Sequence, residues 1–104
     1  MTRHLVQLLL PVVDNDGQPY DPGHFGAVRR ELTDKFGGVT AYSRAPATGL
    51  WKRDDRTIER DDVMMVEVVV DSIDREWWRA YRAGLERRFR QDAILMRAFA
   101  IDVL

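Results

Sequence analysis

The first apolar stretch, Leu5 to Val13, is rich in Leu and Val and gives way to the turn residues Asp14-Asn15-Asp16-Gly17. It predicts a first strand. Asp21-Pro22 then offers a capping carboxylate followed by a residue suited to the first helical position, and apolar side chains recur at Phe25, Val28, Leu32 and Phe36. That spacing draws one stripe down a helix, which Gly37-Gly38 is placed to stop. Val39 to Arg44 alternates as a second strand, and Val63 to Val70 is a stronger β-branched run suited to a central strand. Between them, at about 46–61, lies a polar, turn-rich insertion read as a loop or short hairpin, whose Leu50-Trp51 pair needs an apolar surface to cover. Asp71, Ser72 and Asp74 offer caps for a second helix, predicted from about Arg75 to Arg90 with its stripe at Trp78, Tyr81, Leu85 and Phe89. The run from Ala93 to Leu104 returns as the last strand.

The two helical stripes have identical spacing, and each helix is flanked by strands. The order is therefore β-α-β, insertion, β-α-β within one domain spanning 1–104. This predicts an α+β fold, the ferredoxin-like split βαβ sandwich, with an antiparallel four-stranded sheet and both helices on one face.

Alternate side chains of a strand point to opposite faces. In the third main strand Met64, Val66, Val68 and Val70 form an apolar set suited to the helices, so Glu67, Met65 and Val69 face the open side. The same parity assigns Gln7 with Leu5 and Leu9, Arg97 with Leu95 and Phe99, and Thr40, Tyr42 and Arg44 to that side. The usual strand order of the fold then sets Arg97, Gln7, Glu67 and Tyr42 in a row. Such a mixture of apolar residues with a few converging polar groups resembles a ligand cavity. In that reading Glu67 is a general base, Arg97 holds a carboxylate or developing oxyanion and Tyr42 donates a proton, with Gln7, Thr40, Arg44 and Trp51 as ligand contacts. The competing reading is a purely structural Glu-Arg-Gln-Tyr network, satisfied inside a dimer whose open faces only meet. Either way an apolar face built from Leu5, Leu9, Met65, Val69, Leu95 and Phe99 predicts a homodimer.

Composition narrows the partners. With 16 basic and 17 acidic side chains the net charge is -1, so no overall field favours nucleic acid or an anionic membrane, and neither partner is expected. Helix two carries many arginines, but Arg82-Glu86 and Glu86-Arg90 have the spacing of helix ion pairs, which suggests a solvated face. Cysteine is absent, which removes thiolate chemistry and suits the reducing cytoplasm. His4 and His24 lack metal-ligand spacing, and no glycine-rich phosphate loop occurs, so no metal and no cofactor are expected. The N-terminal run imitates a secretory signal only poorly, because Gln7 and Pro11 interrupt it and Asp14 and Asp16 follow.

Phe36-Gly37-Gly38-Val39-Thr40, Gly49-Leu50-Trp51, and Leu85 with Phe89-x-Gln91 leading into Ile94-Leu95 resemble a small bacterial protein family of the ferredoxin-like dimeric α/β-barrel superfamily. The resemblance implies fold and dimerisation rather than a particular chemistry. The wider superfamily includes monooxygenases, lactone isomerases and effector-binding domains, and fold does not choose among them.

Overall fold

The computed structural model describes residues 2–44, 51–52, 58–59 and 63–104. In chain order the elements are β1 (Thr2–Pro11), α1 (Pro22–Phe36), β2 (Thr40–Arg44), β3 (Trp51–Lys52), β4 (Ile58–Glu59), β5 (Val63–Val70), α2 (Arg75–Arg88) and β6 (Leu95–Asp102). Four strands form one antiparallel sheet in the order β2-β5-β1-β6, and β3 pairs with β4. This is the ferredoxin-like split βαβ arrangement. The side chains of Arg44 and Trp51, and the proposed docking of Leu50-Trp51, lie outside the described residues.

One face of the sheet meets the helices. Val6, Leu8 and Leu10 of β1 and Val66, Val68 and Val70 of β5 pack there with Val28 and Leu32 of α1 and with Trp78, Leu85 and Phe89 at α2. Each large side chain removed from water in this way stabilises the fold by about 1.5–3 kcal/mol before entropy is counted. Phe25, Phe36 and Tyr81 complete the stripes as partly buried flanks.

The helix ends follow from local chemistry. Asp21 accepts from the Gly23 amide at 2.8 Å, with Pro22 opening α1. Gly37, at φ 86°, closes that helix by donating its amide to the Thr33 carbonyl at 2.7 Å, in a conformation that costs a Cβ-bearing residue more. At α2 the Asp74 carboxylate caps the Trp77 amide at 3.1 Å. The helix ends at Arg88 rather than Arg90, because Phe89 leaves helical geometry and Arg90 turns to φ 51°. β1 stops at Pro11, earlier than its apolar run, since Asp14 draws the chain into a turn by accepting from the amides of Asp16 and Gln18, both at 2.9 Å.

Two aromatic groups brace opposite ends of the helical layer. Tyr20, His24, Phe25 and Phe89 meet edge-to-face or tilted, and the Tyr20 hydroxyl donates to the Phe89 carbonyl. Phe36, Trp77, Trp78 and Tyr81 form the other group, with Phe36 stacked on Trp78 at 5.2 Å. Trp77 therefore finds its cover within the helical layer and needs neither the insertion nor a partner for that purpose.

Candidate functional site

The register places Gln7 of β1 opposite both Glu67 of β5 and Arg97 of β6. All three side chains rise from the sheet face turned away from the helices. Arg97 Nε donates to Gln7 Oε1 at 2.7 Å, and Gln7 Nε2 donates to Glu67 Oε2 at 2.6 Å. A charged group at each end determines which way the amide lies: its oxygen must face the guanidinium and its NH₂ the carboxylate. Gln7 is 8% exposed, the one buried polar residue of the described core, and both ends of its amide are satisfied.

Gln7 stands between Glu67 and Arg97, as in the expected row, and the two charged groups make no direct ion pair. One sequence expectation is corrected here. The fourth member of the row is Thr40, opposite Glu67, whereas Tyr42 lies one pleat further along opposite Met65. Tyr42 is exposed. Arg44 pairs in register with Val63 at the end of β2. The apolar residues expected on this face also divide: Val69, Leu95 and Phe99 are 43%, 54% and 45% exposed, but Met65 is fully buried although it does not belong to the helix-side cluster.

Glu67 and Thr40 border an open cleft of about 480 Å³. Leu5 and Val69 give it apolar surface, and the segment Gly37–Val39 leaving α1 forms its wall. The sequence alone marks Gly37-Gly38 as a helix stop and does not place it beside Glu67. The signal was the short connection to Thr40, which forces any residue opposite Glu67 to carry that loop alongside. Arg97 does not line this cleft; it reaches Glu67 only through the Gln7 amide. A carboxylate beside the side chains of Leu5 and Val69 can accept hydrogen bonds from a donor-bearing ligand, pair with a cationic one, or take a proton from a bound group.

A second polar group bridges the helices. Tyr81 and Arg88 of α2 both donate to Glu31 Oε1 of α1, each at 2.8 Å. The Arg88 hydrogen bond, opposed by burial, holds the Glu31 carboxyl below its usual range, while burial and the bond to Glu31 push the Tyr81 phenol up. This clasp is well away from the open face. Among the described residues no group of three His, Cys, Asp or Glu side chains converges as a metal site, and no helix is long and apolar enough to cross a membrane.

No family model matches the chain, and no curated protein matches it. Among solved structures the chain is similar to a phage SAM lyase in complex with S-methyl-5′-thioadenosine, with 8% sequence identity and a TM-score of 0.61 over 97% of this chain and 90% of that one. At that identity the likeness concerns the fold alone.

Proposed function

We propose that the chain binds or transforms a small organic molecule in the cleft bordered by Glu67, and that a second copy of the chain covers the apolar remainder of the open face. One observation carries this reading: the carboxylate of Glu67 accepts from Gln7, itself bonded by Arg97, at the rim of a cleft that also presents Leu5 and Val69. A binding or catalytic carboxylate needs such support to hold its geometry. Glu67 is the acceptor or base, Thr40 a neighbouring hydroxyl, and Gln7 and Arg97 are positioning residues. The S-methyl-5′-thioadenosine held by the structural neighbour suits such a cleft chemically, since its hydroxyl and amine groups can donate to a carboxylate and its thioether can lie on apolar surface.

The test is titration of ¹⁵N-labelled protein with S-methyl-5′-thioadenosine, adenosine and simple alkylamines, followed by amide shifts. Saturable shifts at Gly37, Gly38, Thr40 and Val69, weakened about tenfold by Glu67→Gln, are expected for loss of a charged hydrogen-bond partner. Absence of saturable shifts with all three ligand types, or shifts indifferent to Glu67→Gln, would overturn the assignment.

A second reading, an assembly module without a ligand, is favoured by the exposure of Val69, Leu95 and Phe99 on the same face. It shares the dimer with the first reading and differs in expecting an empty titration.

A further inference from the structure

On the helix side of the sheet, between α2 and β6, lies a cleft of about 210 Å³ separate from the open face. Its floor is apolar, built from Val6, Trp78, Met96 and Ala98, and one wall carries Arg75, Arg79 and Arg82. The spacing of four and then three residues puts these arginines on one stripe of α2, beside the buried stripe of Trp78 and Leu85. The helix ion pairs expected from sequence do not form. Glu86 Oε2 instead accepts from the Ile94 amide at 3.0 Å, and the ion pairs among the described residues are Arg3-Asp71 and Arg88-Glu31. None of the three arginines has a hydrogen bond or carboxylate partner among the described residues. Arg97 also borders the cleft, but its Nε is engaged by Gln7.

Three like charges on one stripe repel one another and destabilise a helix, so their grouping works against the fold. Placed beside an apolar pocket, they match a ligand that brings both the missing negative charge and an apolar body. The cleft is smaller than the roughly 300–1,000 Å³ that drug-sized ligands occupy. We propose that this cleft binds a small organic anion, a phosphate or dicarboxylate group attached to a compact aryl or alkyl body, with the anion on Arg75, Arg79 and Arg82 and the body against Trp78 and Met96. Guanidinium forks suit such doubly acceptor-bearing groups better than single ammonium charges would.

Phenyl phosphate is the probe, with inorganic phosphate and benzyl alcohol as its separated halves. Titrations of ¹⁵N-labelled protein are expected to move the amides of Val6, Met96 and Ala98, with phenyl phosphate binding about tenfold or more tightly than either half and weakening as salt rises. Arg79→Gln with Arg82→Gln should reduce affinity by about tenfold or more, as removal of charge-assisted bonds does. Circular dichroism checks that the helix persists in that variant, and the wild-type shifts test the site without relying on it. Phenyl phosphate should leave the amides of Gly38 and Thr40 unshifted, which keeps this site distinct from the open-face cleft. Equal affinity for phenyl phosphate and inorganic phosphate, no saturable shift at those amides, or tighter occupation of the same amides by a single-stranded RNA oligonucleotide would each overturn the proposal.

Discussion

Gln7→Leu is the sharpest perturbation of the open face, because it removes the amide that joins Arg97 to Glu67 while keeping a side chain of similar size. Hydrogen bonds to charged groups contribute about 1.5–3 kcal/mol each, so the two lost bonds set an upper bound of about 3–6 kcal/mol. Two effects reduce that figure. Glu67 is half-buried and Arg97 exposed, so water can take up part of what the amide supplied, and the leucine adds apolar burial at a position only 8% exposed. The expected net loss is about 1–3 kcal/mol in urea unfolding, with an unchanged denaturant slope. A double-mutant cycle adds the decisive measurement. Glu67→Gln and Arg97→Met should couple by about 0.5–1 kcal/mol in the wild-type background and by less than about 0.3 kcal/mol once Gln7 is leucine. A Gln7→Leu protein as stable as wild type, or a coupling that survives the loss of the amide, would show that the three residues do not act as one chain.

The remaining expectations concern packing, pH and association. Phe89→Ala, which empties a fully buried site against the rings of Tyr20, His24 and Phe25, should cost about 3–5 kcal/mol in the same unfolding assay; a cost below about 1 kcal/mol would contradict its place in the core. Glu31 has a lowered carboxyl pKa, so its contribution is present above the usual carboxyl range and fades as pH falls through the folded value; stability should decline below about pH 5, less steeply in Glu31→Gln, and by under about 1 kcal/mol because the pair with Arg88 is partly exposed. Sedimentation equilibrium should find a dimer that Phe99→Glu converts to monomer, since a charge would enter the apolar face; a wild-type monomer at micromolar concentration would remove the dimer.

Much of the architecture was legible because apolar spacing and caps act locally. Asp21, Pro22 and Gly37 mark α1 without reference to the rest of the molecule, and the alternation of Val66, Val68 and Val70 with Glu67 and Val69 already separates the faces of β5. Parity also brings Gln7, Glu67 and Arg97 to one side. What it does not provide is register. β2 joins β5 across an insertion rather than a tight turn, so nothing local distinguishes Thr40 from Tyr42 as the residue opposite Glu67. Partner choice among charged groups was equally hidden. Glu86 has arginines at helix spacing on both sides, yet it bonds the Ile94 amide, and Arg88 reaches across to Glu31. Such choices depend on neighbouring elements whose distances only the folded chain sets.

The strand order has a consequence for how the molecule is made. β1 is flanked on both sides by strands synthesised long after it: Gln7 bonds Glu67 across 60 residues and Arg97 across 90. At a translation rate of about 5–20 residues per second, these partners follow on the order of 3–18 s later. During that interval Leu5, Val6, Leu8, Leu9 and Leu10 belong to a nascent segment with neither ladder in place, and α1 and β2 cannot supply one, since β2 lies at the far edge beyond β5. The sheet therefore closes late, with the β1-β5 ladder able to form before β6 is made, and the early chain is a natural client for whatever shields apolar segments near the ribosome.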